Sequence, residues 1–381
     1  MPAPAAPLPR SPRSPPASAA APPRPRLAAL DAARALGVVA MVMGHTLDAV
    51  LAPEARATAA MTTYWHARGF TAPLFLVVSG WAVTLAIARA GARGWAVPRG
   101  RLRRVALLLA IGYALRWPGW ALDRLLAGDR EVWAHFLAFD ALHTIAVALL
   151  VTSLVLALPG GRAVRAGVVA ALLVLAAWLG RGAGIPGAAP ATAAGLPASL
   201  PAMALAQALG GTSAFPVAPW AAYFLAGTLI GLLAPADRRG AVGTAAAGAI
   251  LLGVTVLWSG LGDRAPGDPV LIAFRLGVVL LVLGALELVP ARAAARAAPL
   301  GRSSLGVYAV HLPIVYGWST IPGLSFRVGR TLGAGEALAL AAAVLAISFG
   351  LYRLLALAGR MAGALLGAAR RRAGAGRSPA L

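Results

Sequence analysis

Ten runs of mainly apolar residues recur along this 381-residue chain, each long enough to cross a lipid bilayer. They fall at roughly 33–51, 70–90, 102–119, 138–158, 163–180, 217–234, 241–259, 270–289, 303–321 and 335–358. Hydrocarbon offers no water to the backbone, so such a run must be helical and complete its own hydrogen bonds. The predicted fold is therefore all-α: a polytopic integral membrane bundle of about ten transmembrane helices, with the lipid bilayer as its medium. Composition agrees. The chain is 60% hydrophobic and only 12% charged, with a mean hydropathy of +0.78, whereas a soluble domain is about 25% charged.

The formal net charge is +22, a value that in a soluble chain would point to nucleic acid. Its distribution points elsewhere. With the N-terminus inside and the runs alternating, inside segments hold 23 Arg and 3 acidic residues, and outside segments hold 10 Arg and 9 acidic residues. That asymmetry is the positive-inside pattern of cytoplasmic loops. It puts both termini in the cytoplasm and removes the need for a nucleic-acid partner. All 34 basic residues are Arg; with Ala, Gly and Pro also abundant, GC-rich coding accounts for this before any demand for phosphate binding. The chain has no Cys, which excludes disulfides, thiolate metal sites and a cysteinyl acyl-enzyme.

Three regions follow. Residues 1–26, rich in Pro, Ala, Ser and Arg, read as a disordered basic cytoplasmic tail without the apolar segment of a signal peptide. Residues 27–360 form the transmembrane domain, and residues 361–381 a second basic cytoplasmic tail. A basic connector at residues 88–104 joins the second and third runs inside. The longest connection, Arg181 to Pro216 outside, contains ASLPAMALAQAL, which suits a short interfacial helix. A loop of this length is a lid, a binding loop or a plain linker. The chain carries no internal repeat of the kind that builds many transporters.

The first run, LDAARALGVVAMVMGHTLDAV (residues 30–50), carries the polar residues that matter most. Arg34 and His45 are eleven residues apart, which in a helix returns to nearly the same face about 16 Å further along. Asp31 and Asp48 fall close to that face. Ionisable groups inside a membrane are costly and face a bundle interior or a polar cavity, so this stripe marks a site. His45 lies near mid-bilayer, and an imidazole with an ordinary pKa of about 6.5 suits a general base. Asp48, one turn onward, is placed to hold the ring or stabilise the imidazolium. A histidine bonded between helices for packing, and an Arg34–Asp31 pair anchoring the helix at the headgroups, are the competing readings. Two further pairs at i, i+3 spacing share a helix face: Tyr308 with His311, and Asp140 with His143. For both, functional and structural roles stay open. His66 and His135 read as loop or interfacial histidines.

The opening LDAARALGVVAMVMGHTLDAV followed by PLFLVVSG resembles the start of the type-3 membrane acyltransferases, and of the related heparan-alpha-glucosaminide N-acetyltransferases. Those families share an L-D-x-x-R start, an Arg and a His separated by ten residues, and a P-L-F-x-x-x-S-G span. Here these are Leu30, Asp31, Arg34, His45, Pro73, Leu74, Phe75, Ser79 and Gly80. GRSSLGVYAVHLPI (residues 301–314) is similar to their late G-x-x-S-x-x-x-Y-x-x-H-x-P-I segment, at Ser304, Tyr308 and His311. The match touches FDALHTIAVALL (residues 139–150) as well. One departure is Ala35 where the families place Gly after the Arg; the glycine comes at Gly37.

The resemblance implies a membrane acyltransferase of a bacterial cytoplasmic membrane, using acyl-CoA, acetyl-CoA by preference, as co-substrate and no metal. Arg34, with Asp31, would hold the donor's phosphates. His45, with Asp48, would deprotonate a hydroxyl or amine of a carbohydrate-like acceptor at the extracytoplasmic face. His311, Tyr308, His143 and Asp140 would shape the acceptor side. The rival reading is a transporter or flippase without chemistry; a scaffold or sensor is a third. Acceptor identity, acyl length and oligomeric state are not written in the sequence.

The charge tally generates a topology prediction. Single cysteines introduced at positions 93, 194 and 376 of this cysteine-free chain will label from the inside, the outside and the inside, respectively. Positions 93 and 376 on opposite sides would remove the ten-span arrangement.

Overall fold

Pro25 opens the first helix and Pro53 closes it. Proline suits a first turn, where no backbone N–H is needed, and helix α1 runs Pro25–Val50. Ala52, which precedes Pro53, has φ −59° and ψ 148°, the extended conformation that a following proline imposes. The chain is seen in a computed structural model that describes residues 25–90, 99–182, 195–235, 237–257, 264–265 and 267–375. The expected N-terminal tail (all but its last residues), the middle of the basic connector, part of the 181–216 connection and the side chain of His66 lie outside the described residues.

Nine more long helices follow: α2 (Thr71–Ala90), α3 (Arg99–Leu115), α4 (Ala141–Ala157), α5 (Arg162–Leu179), α6 (Val217–Leu233), α7 (Arg238–Val256), α8 (Pro269–Leu288), α9 (Ser304–Tyr316) and α10 (Ala334–Ala375). Every apolar run of the sequence thus lies on a helix, and the all-α membrane bundle stands. The count of about ten spans is not confirmed. Six helices, α1, α2, α5, α7, α8 and α10, are long and apolar enough to cross a membrane. Two bent pairs bring the number to eight: α3 with Gly119–Leu126, at 54°, and Arg130–Leu137 with α4, at 56°. The run at 303–321 falls short for a local reason. Pro313 sits inside α9, and Gly317, at φ 91°, ends it and turns the chain into a two-residue hairpin pairing Gly317–Trp318 with Ile321–Pro322. Thirteen residues make about 20 Å of helix, against about 30 Å of hydrocarbon. At the other extreme α10 continues past residue 360 to Ala375, so the expected C-terminal tail begins as helix. ASLPAMALAQAL does contain a short helix, Leu200–Leu209; its buried Gln207 donates to the carbonyl of Ala134 at 2.8 Å.

Packing centres on α1, which contacts α2, α9, α10 and the short helix Ala298–Arg302. Its far end is tied down by backbone bonds: Leu332 N–H donates to Val50 at 3.0 Å, and Ala52 N–H donates to Leu332 at 2.9 Å. A very close helix contact joins α2 and α6. A Cβ on Gly80 would lie 1.9 Å from the Phe224 carbonyl oxygen, and one on Gly227 would lie 1.9 Å from that of Val77. Small residues let membrane helices approach this closely and gain dispersion contacts. Trp81 and Phe224 are buried beside this contact in the main apolar cluster. Val174, Trp178, Ile250 and Leu354, on α5, α7 and α10, are by contrast more than half exposed, as suits faces turned to lipid.

The close contact separates two otherwise similar substitutions. Gly227→Ala forces α2 and α6 apart and will lower stability by about 1–3 kcal/mol. Gly253→Ala, on α7 with nothing within 4 Å of the added carbon, will be neutral or stabilising by up to about 1 kcal/mol. Unfolding of the purified protein in detergent measures both.

Candidate functional site

Helix α1 lays its polar face along a cavity of about 1280 Å³ that also touches α2, α3, α4, α6, α8, α9 and α10. The cavity is chemically two-ended. Arg34, Arg101, Arg104 and Arg302 line one end. His45, Trp65, Arg68 and Arg275 line the other, with apolar side chains such as Phe75, Leu108 and Phe224 along its walls.

The arginine end is built by another close backbone approach. A Cβ on Gly301 would meet the Asp31 carbonyl oxygen at 1.9 Å, so only glycine lets Arg302 come up beside the start of α1. The Arg34 guanidinium donates to the Asp31 carboxylate at 3.2 Å and is one-quarter exposed. Asp31 does not line the cavity; it holds Arg34. Arg101 and Arg104 come from the first two turns of α3, the end of the basic connector.

At the other end His45 is half-buried, and its Nδ1 lies 2.8 Å from the Tyr316 hydroxyl. This leaves Nε2 as the nitrogen available to a substrate. The His311 ring lies 5.4 Å away, centroid to centroid. His311 is fully buried, and its Nδ1 is 2.9 Å from the Val307 carbonyl one turn back. A carbonyl only accepts, so Nδ1 carries the hydrogen and Nε2 the lone pair; the latter has no partner among the described residues. Tyr308 lines the cavity and meets His311 edge-on at 5.8 Å.

Two expected partners are placed differently. The Asp48 carboxylate accepts from Arg56 at 3.0 Å and pairs with Arg68 at 3.6 Å, so the hydrogen-bond partner of His45 is Tyr316. The reason is charge: two guanidiniums delivered by the connection after α1 outcompete a neutral imidazole for a carboxylate. Asp140 and His143 likewise serve the chain locally. Asp140 caps α4 by accepting from the Leu142 N–H at 2.9 Å, and His143 Nδ1 accepts from the Asp140 N–H at 3.2 Å. The His143 ring is fully buried between Tyr113 and Phe139 and does not reach the cavity.

Arg68, Trp65, Arg302 and Arg275 line the cavity, and Tyr316 reaches His45; none of the five stood out in the sequence. Arg68 and Trp65 end the short helix Ala59–Arg68, and the guanidinium lies 5.3 Å from the indole centroid. Nearby, burial raises the Tyr64 phenol above its ordinary range, and the Arg68 charge opposes the shift. Arg275 had one signal, an ionisable residue at the sixth position of an apolar run.

Comparison with known families identifies the domain. The family model described as an acyltransferase domain, that of the type-3 acyltransferases, matches residues 27–353. No curated protein matches the chain. The matched segment begins within the first turn of α1, ends within α10 and contains every cavity residue named above. The chain belongs to the type-3 acyltransferase domain family and is an integral-membrane acyltransferase.

Proposed function

We propose that the chain moves an acyl group, acetyl by preference, from acyl-CoA at the arginine end of the cavity to a hydroxyl or amine of a carbohydrate-like acceptor at the histidine end. The observation that carries this reading is the single cavity joining Arg34, Arg101, Arg104 and Arg302 to His45. Four guanidiniums suit the phosphates of CoA, since each offers a planar fork of donors. Arg34 and His45 are about 16 Å apart along α1, a span that an extended pantetheine arm suits. The positive-inside asymmetry supports placing the arginine end at the cytoplasmic face, of a bacterial cytoplasmic membrane in this reading, with the acceptor on the opposite side.

In this scheme His45 Nε2 removes the acceptor's proton as its oxygen or nitrogen bonds to the thioester carbonyl carbon. The C–S bond then breaks, and the leaving thiolate takes the proton from the imidazolium. For Nε2 to accept, Nδ1 must carry the other hydrogen and donate it to Tyr316 Oη, so Tyr316 positions the base and sets its tautomer. Asp48 acts at one remove by holding Arg56 and Arg68 in place. Transfer through an acyl-His45 intermediate would use the same groups. No step needs a metal ion.

The two ends separate in kinetics. His45→Ala will lower kcat by about 10²- to 10⁴-fold, the usual worth of a general base, with donor binding within a few-fold of wild type. Arg34→Ala will instead weaken acetyl-CoA binding, and Arg34→Lys will restore it only in part because the planar fork is lost. Free-thiol release against acetyl-CoA concentration reads both; normal turnover and normal donor binding in both variants would refute the assignment.

Tyr316→Phe removes one hydroxyl and little volume. It will lower kcat about tenfold, on the scale of one lost hydrogen bond, and leave the KM for acetyl-CoA unchanged. A residue needed only for packing would lower the yield of folded protein without changing turnover per molecule.

A further inference from the structure

Arg275 is the cavity arginine that the scheme above leaves without a task. It sits in the second turn of α8, inside an apolar helix, and lines the cavity. Neighbouring Phe274 has its ring 5.9 Å from Phe70, two residues beyond Arg68, so Arg275 belongs to the histidine end. Among the described residues no carboxylate pairs with Arg275. Asp268, which caps α8, pairs with Arg264 at 2.7 Å, and Asp48 is shared by Arg56 and Arg68. The phenol of Tyr223 on α6 lies near Arg275, but its hydroxyl makes no hydrogen bond among the described residues.

A guanidinium within a membrane helix is costly unless a counter-charge or hydrogen-bond partners meet it. Here a single carboxylate, Asp48, faces Arg56 and Arg68, and Arg275 adds a further positive charge. Among the described residues no carboxylate is left free at this end of the cavity to neutralise it, so the end is electropositive. The donor's phosphates do not answer the need, because four other arginines serve them at the opposite end. What reaches Arg275 in the catalytic complex is the second substrate.

We infer that Arg275 and Arg68 form a subsite for an anionic group, a carboxylate or a phosphate, carried by the acceptor. This rests on the proposal that His45 marks the reacting end. The acceptor is then an acidic sugar derivative rather than a neutral one, bound so that its anion meets the two guanidiniums while a hydroxyl or amine faces His45 Nε2. Trp65 steadies Arg68 from its ring face at 5.3 Å, which keeps the planar fork available for two parallel hydrogen bonds.

The test uses the full chain in lipid nanodiscs with saturating acetyl-CoA. Glucuronate and glucose 6-phosphate are compared with glucose, reading free-thiol release and, without donor, thermal stabilisation by each sugar. The expected result is a kcat/KM for at least one acidic probe about tenfold or more above that for glucose, the scale of a charge-assisted hydrogen bond. A response to glucuronate alone assigns a carboxylate, and one to glucose 6-phosphate alone a phosphate. Arg275→Gln will collapse the acidic-to-neutral ratio towards one, and Arg275→Lys will keep part of it. If Arg275→Gln does not fold, Arg68→Gln is read the same way. Equal use of acidic and neutral probes by wild type, or an unchanged preference in Arg275→Gln, overturns the subsite. So does a complete absence of both turnover and stabilisation by either acidic probe. Stabilisation by an acidic probe that is lost in Arg275→Gln, with no thiol released from any acceptor, would keep the subsite and count against the acyl-CoA reaction instead.

Discussion

A helix carrying Asp31, Arg34, His45 and Asp48 can exist in hydrocarbon only if other elements close around its polar face, and the rest of the bundle answers to that constraint. None of these four side chains would tolerate lipid contact. The enclosure has to be tight enough to exclude acyl chains, yet leave room for substrates beside the same residues. The structure meets both demands by giving α1 dense partners on its apolar side, through Val38, Val42 and Leu47, and a large cavity on its polar side.

Close packing in a membrane draws little on the hydrophobic effect, because lipid is as apolar as the protein interior; dispersion and backbone proximity do the holding. The glycines show where. Gly80 and Gly227 lock α2 to α6, and Gly301 locks the segment before α9 to the start of α1. These contacts set the cavity's walls at fixed spacing, so charges supplied by three separate parts of the chain, at Arg34, Arg104 and Arg302, converge without pairing with one another's counter-ions. Asp31 is the local exception, and it orients Arg34.

Much of the fold was legible because hydropathy in a membrane chain is nearly a direct readout of helices: all ten apolar runs lie on helices. Their span-forming status was less legible, since a window average does not register that Pro313 and Gly317 cut one run short, or that α3 and α4 each continue across a bend. At the site, Arg34 and His45 could be found because their relation is local, eleven residues on one helix. The partner of His45 could not, because Tyr316 reaches it from a helix that begins at Ser304. Asp48 looked like that partner by spacing alone, and spacing says nothing about Arg56 and Arg68 arriving from the next connection. Arg275 was visible as a charge in an apolar run, but that no carboxylate pairs with it among the described residues appears only once the neighbours are known.

The paired backbone hydrogen bonds between the end of α1 and Leu332 have a mechanical consequence. Val50 and Ala52 grip Leu332 from both sides, as in a short stretch of parallel sheet, and α10 begins two residues later. Sliding one helix past the other would break both bonds together, in a place where side chains offer no ready replacement. The end of α1 and the start of α10 are therefore coupled as one rigid frame behind His45. Any breathing that admits or releases a molecule at this end has to occur on the opposite wall. There the short helix Ala59–Arg68 meets the site through Trp65 and Arg68, by ion pairing and ring contacts that can part and re-form at small cost.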